Sequence, residues 1–414
     1  MKPLVWLMLA WACTGAVSAQ SLDESWSLSG KLRTQWEGRQ VAELGPLAQA
    51  NALESGTVNL AAQGTTAQVE LHASGRNWSA IATAQQQAWD AQRGQSTASI
   101  NELVATMDAG SWQFSGGKKI VGWDVGYAFR PNDMVQQEVR RTLVSSTNEG
   151  RPVVMAEHFG AESSWSLVAV NPGGNVDCLG GCEPAWAARY YQRLGAADGH
   201  AFARIADRTG LSAGAALAWV ASEGLELHAS VRSLQHADSK SMNLASTALV
   251  ASNPWQASTT PGATQALLGG TWTNAQQFSL LLEAWWDGTA LSSDQWADWR
   301  KRNQALGALA QRGAPVSAVA GNLAWQSESF GVSSSLQRGN MYARLSWDID
   351  AWQPSLDMLY HPADAGLMVT ASIQWKGDTL QVQGGVRVST GPDDAVLMQL
   401  PLRRQAFLLA NWAF

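Results

Sequence analysis

The sequence predicts an all-β fold, a transmembrane antiparallel up-and-down β-barrel of about 18 strands, within a range of roughly 16–20. Three observations carry this prediction: segments of alternating polarity, two kinds of connection between them, and a strand-like last segment. Alternation with a period of two puts successive side chains on opposite faces of a strand. A membrane barrel turns one face to lipid and the other to its interior, so apolar and mixed positions take turns along each strand.

Alternating segments of about nine to eleven residues recur along the chain, which is the length that a tilted membrane strand needs. The clearest span 26–39, 66–74, 78–87, 102–109, 112–121, 153–161, 165–171, 186–194, 200–206, 211–220, 225–234, 265–273, 277–286, 330–338, 341–348, 367–376, 380–389 and 406–414. Two weaker candidates span 317–325 and 355–360. Because these two can equally be loop, we expect about 18 strands rather than about 20.

Short connections with turn residues alternate with long connections. Ser74-Gly75-Arg76-Asn77 is an example of the short kind, and its residues favour a tight hairpin. A rim of short periplasmic turns opposite a rim of long extracellular loops is typical of outer-membrane barrels. The long connections cover roughly 40–65, 87–99, 122–151, 171–185, 235–263, 287–316 and 390–405.

The last ten residues have the pattern of a strand that closes the barrel. Phe414, Trp412, Ala410, Leu408 and Ala406 fall on one face of it. An apolar strand at an open sheet edge invites pairing with other chains. A closed barrel has no open edge, so it tolerates such a strand.

The first residues predict export. Lys2 precedes an apolar run at 4–12, and Val17-Ser18-Ala19 matches an A-x-A-like cleavage site, so we expect residues 1–19 to be a cleaved secretory signal peptide. The run is too short to span a bilayer as a helix. A lipoprotein signal at Cys13 fits badly, because Trp11 lies two residues before it. No break in composition divides the rest, so residues 20–414 are expected to form one barrel domain.

Composition narrows the class of partner. The chain has 28 basic and 34 acidic residues, a net charge of −6, and loss of Lys2 with the leader makes the balance one unit more negative. This argues against nucleic acid and against general adhesion to anionic lipid. The 22 Trp outnumber the 8 Phe and 5 Tyr. Trp prefers membrane–water interfaces, and many of these residues lie near segment ends, which favours a membrane barrel over a soluble Trp-rich protein or carbohydrate binder.

Two cysteines, Cys178 and Cys182, remain after the leader. In an oxidising compartment we expect them to form a local disulfide. A metal site would need two further ligands at suitable spacing, and no His is near in sequence. The sequence implies no metal and no cofactor.

These features together resemble the bacterial outer-membrane porin-like β-barrel proteins, over essentially the whole mature chain, without pointing to one family. The run 122–133, which reads GWDVGYAFRPND, looks like a loop motif of larger porin-like families with unassigned substrates. The resemblance implies a Gram-negative outer membrane, contact with its lipids, and recognition of Trp412 and Phe414 by the barrel-assembly machinery as a membrane-insertion signal. A homo-oligomer would be compatible, but no feature of the sequence demands one.

The connection 118–151 is the best candidate for a functional site. Folded into the lumen, it would form a pore constriction with opposed charges that orients polar solutes. The residues expected to line this constriction are Lys118, Lys119, Arg130, Asp133, Arg140 and Arg141. The alternative is an external loop with solvated charges, but a connection of roughly 30 residues rich in apolar side chains fits poorly in water.

Charged residues within the strands should face the interior, because a charge facing lipid near the bilayer midplane costs roughly 2–4 kcal/mol. They are Lys31, Arg33, Glu70, Arg189, Arg204, Glu226, Arg232 and Arg344. Their expected role is bulk selectivity in a polar lumen.

A second cluster, Trp285, Trp286, Trp296 and Trp299, has two interpretations. It could be a platform on which sugar rings stack at the mouth. We favour the alternative, in which Trp285 or Trp286 belongs to the interface belt and the others pack a loop helix at 292–309. Ser293 would cap that helix.

We therefore expect a porin or channel for passive diffusion of small polar or charged solutes. The main alternative is a non-conducting or partner-dependent barrel for secretion, polysaccharide export or surface binding. An outer-membrane hydrolase is a remote alternative: His72 and His228 each lie near a Ser, but the six His have no metal-binding spacing, and catalytic groups would have to converge on one rim.

Overall fold

The computed structural model describes residues 26–90, 94–136, 148–174, 181–242 and 248–414. In this part of the chain, 18 antiparallel strands form a single closed sheet, as the sequence predicts. The strands β1–β18 are Trp26–Val41, Gln63–Gly75, Trp78–Trp89, Gln95–Ala109, Trp112–Lys119, Arg151–Phe159, Ser163–Val170, Ala185–Leu194, Ala197–Ala206, Gly210–Ser222, Leu225–Met242, Trp255–Thr273, Phe278–Asp287, Gly339–Trp347, Trp352–His361, Gly366–Lys376, Leu380–Thr390 and Leu402–Ala413. Each pairs with its neighbours in the chain, and β1 also pairs with β18.

The pairing of β1 with β18 closes the barrel. Their register runs from Lys31 opposite Ala413 to Val41 opposite Leu402. Beyond it, Gly30 and Phe414 exchange both backbone hydrogen bonds, at 2.8 and 2.9 Å. The sheet therefore has no open edge along these strands, which removes the pairing hazard of an apolar last strand.

The two faces of the strands differ as alternation requires. On β1, Leu28 and Trp36 are exposed on the outer surface, whereas Glu37 is buried on the inner side. Residues directly opposite one another on paired strands share a face, so the register assigns an inner and an outer set around the ring. All eight strand charges predicted to face the interior lie on the inner set.

Exposed tryptophans concentrate at one rim, the short-turn rim, where consecutive strands are joined by two to four residues. The nine on the outer surface there are Trp26, Trp78, Trp112, Trp165, Trp219, Trp272, Trp347, Trp352 and Trp412. Within the described residues, only Trp36, Trp186 and Trp286 are exposed near the opposite, long-loop rim. Belts of this kind are typical of barrel surfaces at the membrane–water interface.

Three α-helices lie in the long-loop rim of the described chain. Helix α1 is Pro46–Leu53, between β1 and β2, and α2 (Ser293–Gln311) and α3 (Val316–Trp325) lie between β13 and β14. Short 3₁₀ turns at Gln326–Gly331 and Val396–Gln399 complete the rim. None of the helices described is long and apolar enough to cross a bilayer.

The helix predicted at 292–309 is present, but Ser292 rather than Ser293 caps it. The Ser292 hydroxyl accepts the N–H of Gln295, and the Gln295 side chain accepts the N–H of Ser292, which makes a capping box. Trp296 and Trp299 are buried against Phe330 and Leu397. This agrees with a loop-packing role for these two tryptophans.

The expected strands at 317–325 and 330–338 are wrong. Residues 316–325 form α3, because Val319, Ala320 and Leu323 share a face that packs on Ala50 of α1, and this spacing matches a helix as well as alternation does. The segment 330–338 is a 3₁₀ turn followed by bends. The weak candidate at 355–360 is part of β15. The predicted number of about 18 strands is therefore confirmed, with 355–360 as a strand in place of 330–338.

The helices bridge the long-loop opening. Helix α3 packs on α1, which belongs to the β1–β2 connection, and Leu249 of the β11–β12 connection packs on the same cluster. These two connections lie nearly opposite each other in the ring of strands. Asn322 of α3 fixes the contact, since its amide accepts the N–H of Val250 at 3.1 Å and donates to its carbonyl at 3.0 Å.

Candidate functional site

The connection after β5 runs along the inner wall of the barrel. We call residues 120–136 the inward segment. Its apolar side, with Val121, Trp123, Met134 and Val135, packs on inner-face residues of β6–β10 in one buried cluster. The wall residues in this cluster are Val153, Met155, Val168, Val170, Ala185, Ala187, Phe202, Ala206 and Ala216. An apolar inner wall would be unfavourable in a water-filled lumen, and the inward segment covers it.

Glu283 anchors the tip of the inward segment. This carboxylate lies on the inner face of β13 and is buried. One oxygen accepts the N–H of Tyr127 and the other accepts the N–H of Ala128, both at 2.6 Å. His228 on β11 contacts the same carboxylate through Nε2 at 2.9 Å. Hydrogen bonds to an ionised, buried acceptor are among the stronger ones in proteins.

A second anchor joins the segment to β10 and β11. The Asn132 amide donates to the Ser230 hydroxyl at 2.8 Å and to the carbonyls of Ala215 and Val231 at 3.2 and 3.1 Å. Ser230 donates in turn to Asp124 at 2.7 Å. Asp124 also accepts the N–H groups of Val125 and Asn132, so it ties the segment to itself and to the wall.

Glycines make room for both anchors. A Cβ on Gly214 would overlap the Oδ1 of Asn132, and one on Gly269 would overlap the His228 ring and the Glu283 side chain. Both glycines lie on the inner face, opposite Arg232 and His228 respectively. Here the missing side chain permits close approach of the segment to the wall.

Burial and charge shape the carboxylates of the segment. Burial raises the pKa of Asp124, while donors from Asn132 and Ser230 act in the opposite direction. Burial likewise raises the pKa of Asp133, against the N–H groups of Asp124 and Trp123. The Trp123 and Asp124 N–H groups donate to Asp133 at 2.8 and 3.0 Å.

The space between the tip of the segment and the short-turn ends of β11–β14 is a cavity of about 340 Å³. It is lined by Val125, Gly126, Tyr127, Arg130, Glu226, His228, Thr271, Ser279, Leu281, Arg344 and Ser346. The Tyr127 ring is partly exposed and stacks on Tyr342 with 6.1 Å between centroids. Its hydroxyl accepts an N–H from Arg344 at 3.1 Å.

The six residues expected at a constriction are distributed differently. Arg130 lines the cavity and donates from Nε to the Gly126 carbonyl at 2.7 Å, with Asp133 at 3.8 Å from its guanidinium. Lys119 is on the inner face of β5, with Glu157 at 3.5 Å. Arg140 and Arg141 lie outside the described residues.

Lys118 is not part of this group. It lies opposite Leu103, which is 52% exposed on the outer surface, and it pairs with Glu149. Because side chains alternate along a strand, two consecutive lysines cannot both face the lumen. Asp133 is buried and holds the backbone of the segment, so it offers little of its carboxylate to a solute.

Several residues of the site were missed by sequence reasoning. Glu283, Asn132 and Ser230 are brought together by strands far apart in the chain. A signal existed only for the segment itself, since Asn132 and Asp124 belong to the run 122–133.

The remaining predicted features are placed as follows. Cys182 is disulfide-bonded, and Cys178 lies outside the described residues, so their pairing with each other stays a prediction. Trp285 stacks on Phe129 of the inward segment at 5.6 Å, whereas Trp286 is exposed on the outer surface. His72 contacts Glu70 at 2.6 Å on the inner face of β2. Among the described residues, no group of three or more His, Cys, Asp or Glu is placed to bind a metal.

Solved structures similar to this barrel are porins. OccAB1 of Acinetobacter baumannii matches over 96% of this chain and 98% of its own, with a TM-score of 0.55 and 8% identity. Two variants of the Rhodopseudomonas blastica porin match over 94% of this chain and all of theirs at 9% identity, each with a TM-score of 0.44. No family model matches the chain, and no curated protein matches it in sequence. At this identity the likeness shows the fold alone: the chain is a porin-like β-barrel.

Proposed function

We propose that the protein is an outer-membrane channel through which small polar or charged solutes diffuse passively. The observation that carries this proposal is the docked inward segment. Glu283 fixes its tip at two backbone N–H groups, and a cavity that combines apolar surface with charged and hydroxyl side chains remains beside it. A segment held against one side of a polar barrel narrows the lumen without having to fill it.

The proposal also covers the cellular location of the protein and its partners. Export by residues 1–19, which lie outside the described residues, would deliver the chain to the periplasm of a Gram-negative bacterium. Contact of the exposed tryptophans with outer-membrane lipids and recognition of Trp412 and Phe414 by the barrel-assembly machinery stay predictions. The same holds for a homo-oligomer and for the disulfide between Cys178 and Cys182. The porin-like fold favours a channel over an enzyme.

Single-channel recording tests this proposal. Purified, refolded protein added to a planar lipid bilayer should give discrete open-channel current steps in a simple salt. Heat-treated protein at the same detergent concentration serves as the control. A folded preparation that inserts, as judged by protease protection in liposomes, but never conducts would contradict the proposal.

One observation favours a second candidate, a barrel that needs a partner to open, for secretion or polysaccharide export. Helices α1–α3 bridge the long-loop opening through the contact of Asn322 with Val250. If these helices close the mouth, wild-type protein alone would stay silent in the bilayer, and deletion of 293–325 would produce current steps. Conduction by the wild-type chain would exclude this candidate.

A further inference from the structure

The cavity beside Tyr127 offers groups for a particular class of solute. Its charged side chains are already matched by partners within the barrel. Arg344 lies 3.2 Å from Asp357, and the Nε of Arg130 donates to the Gly126 carbonyl. His228 bridges two carboxylates, with Glu226 at 3.2 Å and Glu283 at 2.9 Å.

Matched charges disfavour an ionic ligand. A charged solute would have to break or share these pairs and lose its own hydration, and both steps oppose binding. An uncharged solute with many hydroxyls loses less hydration free energy than an ion, and it does not have to break these pairs. It can accept from a guanidinium and donate to a carboxylate while both keep their partners.

Hydroxyl groups line the wall of the cavity and continue beyond it. Ser279, Ser346, Ser355 and Ser372 lie directly opposite one another on β13–β16 and form one inner-facing row. The Ser355 and Ser372 hydroxyls are 2.8 Å apart. The side chain of Gln383 on β17 extends the row by donating to Ser372 at 3.2 Å.

Amides flank this row on its short-turn side. Gln353, Gln374 and Gln383 lie directly opposite one another on β15–β17. An amide or hydroxyl can both donate and accept, so each of these groups can serve a solute hydroxyl in either role.

Tyr127 supplies the apolar face. The residue is 41% exposed, and its ring is supported on Tyr342 and by the Arg344 guanidinium, 5.9 Å from its centroid. Glu283 fixes its backbone, and Tyr342 and the Arg344 N–H on its hydroxyl hold the ring, so little side-chain entropy remains to be lost on binding. A rigid aromatic face beside convergent hydrogen-bonding groups suits a ring that is apolar on its faces and polar around its edge.

We infer that this cavity is a binding site for uncharged, hydroxyl-rich solutes of about one sugar ring, which stack on Tyr127 and bond to Glu226, Ser279 and Ser346. The inference rests on the proposed channel function and names the solute class that the same lumen takes. It separates neutral solutes from anions and cations of equal size.

The test uses three sugars of similar size and different charge: glucose, glucuronate, which carries a carboxylate at C6, and glucosamine, which carries an ammonium at C2. Each is added at increasing concentration to a conducting bilayer, and the reduction of ion current is measured. Glucose should block the current saturably, and glucuronate and glucosamine should need about tenfold higher concentrations. Stronger block by glucuronate would overturn the inference in favour of an anion site.

Variants locate the binding event. Tyr127→Ala should weaken the glucose block by about tenfold, because the stacking face is lost, whereas Tyr127→Phe should keep most of it. Tyr360→Ala removes a tyrosine from the outer surface and is the matched control, which should leave the block unchanged. Heat-modifiable migration on gels confirms that each variant is folded.

The outcomes separate this inference from the proposed function. If the protein gives current steps that glucose does not block, the inferred binding site is wrong and the proposed channel function is still supported. If the protein does not conduct, equilibrium dialysis of radiolabelled glucose against detergent-solubilised protein decides the matter. Binding that Tyr127→Ala abolishes would then support the site, and no binding would overturn it.

Discussion

Glu283 fixes Tyr127 through the backbone alone. Its carboxylate accepts the Tyr127 N–H at 2.6 Å, while the Tyr127 ring points into the cavity and is partly exposed. The backbone of Tyr127 thus determines where the residue lies, and its side chain determines what chemical groups it offers to the cavity. The wall sets where residue 127 lies, and its partly exposed ring lines the cavity.

Replacing Glu283 by Ala should release the tip of the inward segment. The Tyr127 and Ala128 N–H groups would lose their acceptor, and a hydrogen bond to a charged group contributes roughly 1.5–3 kcal/mol. We expect noisier current, with frequent transitions between conductance levels, and a lower unfolding temperature. Glu223→Ala is the matched control, because this glutamate is exposed in a short turn. If the variant had the current noise and the unfolding temperature of the wild type, the Glu283 anchor would be dispensable.

Replacing Gly214 by Ala should also destabilise the docked inward segment, here at its second anchor, Asn132. The added methyl group would overlap the Asn132 side chain and so displace the amide from Ser230. Overpacking of this kind typically costs about 1–3 kcal/mol. Gly116→Ala on β5 is the control, since nothing lies within 4 Å of its Cβ position. Thermal unfolding followed by circular dichroism compares the two, and equal midpoints would refute the tight fit.

The parts of the fold that the sequence predicts are those set by interactions between residues close together in the chain. The alternation of apolar and polar residues is a property of each strand by itself. It therefore predicts β1, β11 and the inward-facing charges such as Arg232. It could not place Lys118, because the end of β5 had to be known before its register told inside from outside. Nor could it separate α3 from a strand, since seven apolar residues in ten fit both periods.

The anchors lay beyond sequence reasoning for a different reason. Glu283 and Tyr127 are 156 positions apart, and only closure of the barrel brings them together. The motif 122–133 indicates that the segment matters, and the sequence predicts Asp133 as a charge lining the lumen. In the structure Asp124 and Asp133 instead hold backbone N–H groups, which loops need whenever they are buried away from water.

Acidification should tighten the inward segment. Burial raises the pKa of Asp124 and Asp133 above their ordinary values, so the folded segment binds protons more readily than the unfolded one. Their contribution therefore favours docking at low pH and is lost as the pH rises through the folded-state pKa. Voltage-driven closures should become rarer as the pH is lowered stepwise from 8 towards the ordinary aspartate pKa of about 4, and the change should shrink in the Asp124→Asn, Asp133→Asn double variant. More closures at the lower pH would contradict the assignment.

Asn322 tests whether the helices at the long-loop rim restrict the mouth. Its amide satisfies both the N–H and the carbonyl of Val250, so Asn322→Ala leaves two backbone groups without their partner. At roughly 0.5–1.5 kcal/mol for each lost hydrogen bond, the contact between α3 and the β11–β12 connection should open more often. We expect faster cleavage of the long-loop rim by added protease in intact proteoliposomes and a larger mean current. Asn77→Ala, in an exposed turn at the opposite rim, is the matched control. If cleavage accelerates while the current stays at the wild-type value, the helices cover the barrel without closing it.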